Sequence, residues 1–234
     1  MKKRLGTVRG LLAGLFILAL SGYSTLAQAG VALGATRVIY PAGQKQVQLA
    51  VSNNDDDSTF LIQSWVENAD GVKDGRFIIT PPLFAMQGKK ENTLRIIDAT
   101  SDQLPKDRES LFWLNVKAIP SMDKSKLSEN TLQLAIINRI KLYYRPEKLA
   151  MAPDQAAGKL TFSRSGSTLT LNNPTPYYLT VTELNAGNRK LENALVPPMG
   201  KATVTLPSDA GSNITYRTIN DYGALTPQMK GTMQ

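Results

Sequence analysis

From Gly30 onward the chain is written in short runs of Val, Ile, Leu, Thr and Tyr separated by clusters of turn formers, and no segment sustains a helical period. Apolar residues at every second position line one face of a pleated strand, whereas a helix needs them three and four apart. The pattern therefore predicts an all-β fold. Seven runs precede residue 149: Thr36 to Tyr40, Gln46 to Ser52, Leu61 to Val66, Phe77 to Thr80, Asn92 to Ile97, Leu111 to Ala118 and Thr131 to Tyr144.

About seven strands with a turn roughly every 8 to 12 residues suggest an antiparallel sandwich of the immunoglobulin type. A loose stretch from Met151 to Gly158, mainly Ala, Pro, Asp, Gln and Gly, reads as a linker. Beyond it come further strand-like runs: Lys159 to Phe162, Thr168 to Leu171, Tyr178 to Leu184, Ala202 to Leu206 and Asn213 to Tyr216. The expected architecture is two immunoglobulin-like β-sandwich domains, residues 30–149 and 150–234.

The first 29 residues have the form of an export signal: a basic start at Lys2, Lys3, Arg4 and Arg9, an apolar run from Leu11 to Leu20, and small residues at Ala27-Gln28-Ala29. Its removal leaves 23 basic against 19 acidic residues, a charge of +4. So mild and scattered a surplus, on an exported chain, argues against a nucleic-acid partner. Cysteine and histidine are both absent. The first absence removes disulfides and thiolates; the second removes the usual general base, the Ser-His-Asp triad and the commonest zinc ligand. No enzymatic activity, cofactor or metal is expected. Ser121-Met122-Asp123-Lys124 matches a bare S-x-x-K pattern, but its companion motifs are missing and it falls in an expected loop. Asn53-Asn54-Asp55-Asp56-Asp57 lacks the glycine and terminal glutamate of a calcium loop and reads as a hairpin connection. With no phosphate-binding glycine loop, no ATP dependence is expected.

The stretch TLQLAIINRIKLYYRP, Thr131 to Pro146, is the least ordinary. Leu132, Leu134, Ile136, Ile140 and Leu142 share one face of a strand, broken by Asn138, while Arg139 and Lys141 fall on the other. Such a face could complete the chain's own core or be offered to a partner, and the pattern leaves both open.

Leu104 to Pro120, LPKDRESLFWLNVKAIP, resembles the signature of the periplasmic chaperones that assemble fimbriae by the chaperone–usher route, carried by Pro105, Asp107, Arg108, Glu109, Ser110, Phe112, Asn115, Ile119 and Pro120. The likeness extends to Arg37, to Ile140-Lys141-Leu142-Tyr143-Tyr144-Arg145-Pro146, to Asn173-Pro174-Thr175-Pro176-Tyr177-Tyr178 and to Ile219-Asn220-Asp221-Tyr222-Gly223, and looks closest to the chaperones of type 1 fimbriae. The short span between Pro120 and Leu132 and the missing cysteines resemble the branch serving rod-forming fimbriae.

The resemblance implies two domains set as a boomerang, with a cleft that receives a fimbrial subunit, pilin or adhesin, whose own sandwich lacks its last strand. The chaperone lends a strand until the next subunit replaces it, a use of strand addition that is a known mode of peptide recognition. Carried onto this chain, the lent strand is Thr131 to Tyr144 with Leu132, Leu134 and Ile136 as its donated side chains. Arg37 and Lys141 would anchor the subunit's C-terminal carboxylate, and Glu109, Arg145 and Asp221 would form an interdomain salt bridge. Each Leu or Ile moved from water into a subunit groove is worth about 1.5 to 3 kcal/mol, and the anchor fixes a register in which a slip of one residue would turn the apolar face over. Delivery to an outer-membrane usher would use the first domain, with Leu61 and Pro81-Pro82-Leu83-Phe84 as an exposed patch. The competing expectation is a fimbrial structural subunit or adhesin, which commonly carries an N-terminal donor extension and a cysteine pair; here Gly30 to Thr36 is short and cysteine is absent.

Overall fold

The computed structural model describes residues 30–101, 103–122 and 132–233. The first domain is built from β1 (Val31–Leu33), β2 (Arg37–Pro41), β3 (Gln46–Asn53), β4 (Phe60–Asn68), β5 (Phe77–Thr80), β6 (Leu83–Met86), β7 (Glu91–Asp98), β8 (Ser110–Pro120) and β9 (Ile136–Arg145). One sheet has the order β1-β3-β7-β5 and the other β2-β9-β8-β4-β6. Alternation decides which side chains meet between them: Leu49 and Val51 on β3, Leu94 and Ile96 on β7, Ile62 and Val66 on β4, Leu114 and Val116 on β8, and Leu142 on β9 are buried in one cluster.

Two features depart from the sequence expectation. The first strand is split, β1 pairing antiparallel with β3 and β2 pairing parallel with β9, so the sandwich is not wholly antiparallel. Gly34 sits at the crossing, its N–H bonded to the Ala50 carbonyl at 2.9 Å, where a Cβ would stand 3.1 Å from that of Ala50. The long strand is also shorter than expected: pairing begins at Ile136, not Thr131, and Leu132 to Ala135 precede the ladder. Thr131, Lys124 and residues 1–29, expected from the sequence to be an export signal, lie outside the described residues. The Asn53–Asp57 connection is a turn tied by side chains, with Asn53 Oδ1 accepting from the Asp55 N–H at 3.1 Å and Asp55 Oδ1 from the Ser58 N–H at 2.9 Å.

A helical turn, Pro153–Ala156, continued by a 3-10 turn at Ala157–Lys159, occupies what the composition marks as linker. The second domain follows with β10 (Thr161–Ser165), β11 (Thr168–Asn173), β12 (Leu179–Ala186), β13 (Arg189–Lys190), β14 (Ala194–Val196), β15 (Gly200–Thr205), β16 (Ile214–Thr218), β17 (Met229–Lys230) and β18 (Thr232–Met233). Its sheets run β15-β11-β10-β18 and β13-β12-β16-β17, with β14 also on β12. A separate core of Phe162, Leu169, Leu171, Val181, Val196 and Tyr216 lies between them, against which Leu149 and Met151 pack.

Candidate functional site

The joint between the domains is an ion cluster with Arg145 at its centre. The side chain at the end of β9 donates from Nε to Glu109 Oε1 at 2.8 Å and, through both terminal nitrogens, to Asp221 Oδ2 and Oδ1 at 2.7 and 2.8 Å. Glu109 is 3% exposed, and its other oxygen accepts the Tyr178 N–H at 2.8 Å while its own N–H reaches the Pro176 carbonyl at 2.9 Å. Burial pushes the Glu109 carboxyl above the usual range, although Arg145 and the Tyr178 N–H pull against it. The Arg145 guanidinium also lies over the Tyr177 ring, 5.0 Å from its centroid.

Two turns bring the second domain's share of this joint. Asn173 is fully buried, its amide donating to the Tyr177 and Pro197 carbonyls at 2.7 and 2.9 Å while its Oδ1 accepts from the Thr175 N–H at 3.0 Å, which fixes the turn that presents Tyr178. Asn220 ties the other turn through its Oδ1, which accepts from the Tyr222 and Ala224 N–H groups at 3.1 and 2.9 Å. Gly223 there has φ +84° and faces Thr36 so closely that a Cβ would collide with the threonine hydroxyl.

Arg37 and Lys141 are direct cross-strand neighbours, the first pair of the β2–β9 ladder. Arg37 is 9% exposed; one terminal nitrogen donates to the Ile219 carbonyl at 3.1 Å, and its buried Nε has no hydrogen-bond partner. Lys141 donates to Thr180 Oγ1 at 3.4 Å, and burial together with the Arg37 charge holds its ammonium below the usual lysine range. Tyr143, next on the same face, has a buried hydroxyl beside that of Thr180, and burial pushes its phenol up to about 12, with Thr180 pulling against it. Behind Arg37, between the domains, opens a cavity of about 280 Å³ lined by Tyr143, the ion cluster and Tyr177. A buried guanidinium donor without an acceptor beside a half-buried ammonium makes this a place where an anion would be held.

Above this pair β9 changes character. β2 covers Lys141 to Arg145, but the edge of Ile136 to Ile140 on that side has no strand partner among the described residues. Ile140 and Leu142 face the first core; Ile136, Leu134 and Leu132 continue the same alternation past its end and are 61%, 68% and 79% exposed. Asn138 stands at the boundary with its amide nitrogen buried and unpartnered. On the opposite face Arg139 lies over the Trp113 ring, 4.4 Å from its centroid, and pairs with Glu67 at 3.0 Å.

The site residues named from the sequence thus gather into one cleft: Glu109, Arg145 and Asp221 at its joint, Arg37 and Lys141 above them, and the exposed apolar row rising from that point. Thr180, the Ile219 carbonyl and the Tyr178 N–H were not among them, although the Tyr177-Tyr178 and Ile219-to-Gly223 motifs pass through two of the three. Of the expected surface patch, Leu61 and Leu83 share the outer face of β4 and β6 and are exposed, whereas Phe84 turns inward and packs on the core. The alternation of β6 requires this, since adjacent residues point to opposite faces.

Two β-sandwiches are clamped by a buried ion cluster, with an open strand edge above one buried and one half-buried cation. Residues 30–150 match the family of pili and flagellar-assembly chaperones, PapD N-terminal domain, and residues 155–230 match pili assembly chaperone PapD, C-terminal domain. The chain belongs to this family of pili assembly chaperones. It is 80% identical to Chaperone protein FimC of Escherichia coli strain K12 over 96% of this chain and 93% of that one, and 69% identical to Chaperone protein FocC of Escherichia coli over 91% and 94%. Among solved structures it is similar to the periplasmic chaperone SfaE, with TM-score 0.78 and 68% identity over 87% of this chain and all of that one. It also resembles the SafB chaperone solved with the SafA pilin of Salmonella enterica, with TM-score 0.79 and 33% identity over 88% and 97%. Such relatives favour a chaperone over a fimbrial subunit or adhesin.

Proposed function

We propose that the chain is a periplasmic chaperone that binds fimbrial subunits by lending β9 to their incomplete sandwich, keeps them from aggregating, and passes them to an outer-membrane usher. In this reading residues 1–29 are an export signal, residues 30–149 the lending domain and residues 150–234 the second domain. The observation that carries it is that β2 begins only at Arg37, opposite Lys141, and leaves the β9 edge open from Ile140 back to Ile136. A subunit's last strand laid along that edge would continue the line of β2. Running parallel to β9, it would end at Arg37 and Lys141, where its carboxylate meets the donors of the cleft. Its core would receive Leu132, Leu134 and Ile136, each worth about 1.5 to 3 kcal/mol on leaving water. The SafB chaperone, 33% identical to this chain, is solved in complex with the SafA pilin, which supports a fimbrial subunit as the partner. Glu109, Arg145 and Asp221 serve as an alignment device that holds both walls of the cleft.

The test is a periplasmic pull-down of tagged wild type beside Lys141→Ala, with bound proteins identified by mass spectrometry and folding followed by circular dichroism. Wild type should retain pilin-like subunits, and the folded variant should lose about 2 to 5 kcal/mol of binding. Wild type without subunits would sink the chaperone reading; equal retention by both would sink the anchor alone. The usher contact is assigned to the outer face carrying Leu61 and Leu83, and Leu61→Asp should abolish usher binding while subunits are still retained; usher binding at the wild-type level would remove that assignment.

A further inference from the structure

We infer that Thr180 is a positioning residue for the anchor: the second domain, through the Thr180 hydroxyl and the Ile219 carbonyl, holds the Lys141 and Arg37 side chains in the orientation in which they receive a subunit carboxylate. The inference rests on the strand-lending reading above. Two like charges side by side on neighbouring strands repel, and a lysine on a four-carbon stem left to itself would swing toward water. Among the described residues the hydrogen bonds that hold Lys141 and Arg37 run to Thr180 Oγ1 at 3.4 Å and to the Ile219 carbonyl at 3.1 Å, both in the second domain. Trp113, paired with Lys141 across β8 and β9, lies 5.9 Å from the ammonium at its ring centroid and bounds it on the first-domain side.

The two acceptors form a single unit. The Ile219 N–H donates to the Thr180 carbonyl at 3.1 Å, and the adjacent residues Val181 and Thr218 are partners in the β12–β16 ladder. Thr180 lies two residues beyond Tyr178, whose N–H is held by Glu109, and Ile219 two residues before Asp221, which is held by Arg145. The ion cluster therefore fixes the frame, and the frame aims the two cations. The Lys141 bond is long, and the lone pair offered by the hydroxyl contributes direction to the ammonium.

The probe is a synthetic peptide spanning the last strand of the pilin that co-purifies with the tagged protein, made as the free acid and as the C-terminal amide. Both are titrated into wild type, Thr180→Val, which keeps the shape and removes the hydroxyl, and Thr180→Ser, which keeps the hydroxyl. Wild type should prefer the acid. Thr180→Val should bind the acid roughly three- to tenfold more weakly and the amide unchanged, and Thr180→Ser should restore the preference for the acid. An acid preference in Thr180→Val equal to that of wild type overturns the positioning role alone, as does an equal loss for both peptides or a failure of serine to restore it. A wild type that binds acid and amide alike overturns the anchor itself, and the positioning with it.

Discussion

The two halves of β9 follow one alternation and end in opposite surroundings. From Lys141 to Arg145 the strand lies between β2 and β8, and Leu142 and Tyr144 enter the core; from Ile136 to Ile140 it has β8 alone, and the same face runs on through Ile136, Leu134 and Leu132 into water. The side chains of the two halves are equally apolar, so composition does not decide which is buried. The decision is made by β2. Because the first strand spends Val31 to Leu33 on the opposite sheet and crosses over at Gly34, it reaches β9 only at Arg37. A first strand that never switched would have covered the whole edge, and an open apolar edge is ordinarily a hazard that folds avoid. Here the fold leaves it beside two cations.

The comparison breaks most violently at the foot of the strand. Arg145→Ala would strand Glu109 in the interior and free Asp221, and losing one partner of a buried ion cluster costs about 3 to 5 kcal/mol. Denaturant unfolding of the variant should show the domains parting first, as an early transition separate from the melting of the two cores; a single transition at the wild-type midpoint would mean that the cluster does not hold the joint. Its pH dependence has a definite sign. Glu109 is raised above the ordinary carboxylate range by burial, so the folded state holds its proton more tightly than the unfolded one. Its contribution is present below the ordinary carboxylate range and is lost as pH rises through the raised folded value. Without Arg145 to oppose burial the value should rise further, so the deficit should be larger at neutral than at mildly acid pH, and Arg145→Ala combined with Glu109→Gln should show no such slope.

One row higher, Leu142→Ala empties a fully buried site shared by β9 and the first core. Truncations of this kind cost about 2 to 5 kcal/mol, the spread reflecting how far the cavity can collapse. The loss should appear in the first domain's transition and leave the second domain's unchanged; a loss below about 1 kcal/mol would mean that the lower half of β9 is as lightly held as the upper half.

What the sequence disclosed follows the same division. Long alternating runs such as Gln46–Asn53 and Ser110–Pro120 are legible because β-branched and large apolar residues repeat at two. The short β1 and β6 are not, since three or four residues beside glycine or proline carry too little period to register. Pairing direction is a property of two segments together, so the parallel contact of β2 with β9 left no trace in either run. Arg145 bonds residues 36 and 76 positions away, a distance no local pattern spans, and only the likeness to a family brought those three charges together on paper. Thr180 had no such help: a threonine on a strand is unremarkable until the other domain's lysine is seen against its hydroxyl.

The smallest expected effect on folding gives the sharpest contrast between the halves. Ile136→Ser and Leu134→Ser replace large apolar side chains that are mostly in water and that support nothing in the described fold. Surface changes of this kind shift stability by no more than about 0.5 kcal/mol, so both variants should unfold at the wild-type midpoint. Under the proposed strand-lending function the same two changes would remove groups worth about 1.5 to 3 kcal/mol each once buried in a subunit. Subunit retention in the pull-down should therefore collapse while stability stays flat, the reverse of the outcome expected for Leu142→Ala measured on chaperone that remains folded. If Ile136→Ser instead lowered the first domain's midpoint by as much as Leu142→Ala, the upper half would belong to the chaperone's own core and would not be a strand held out for another chain.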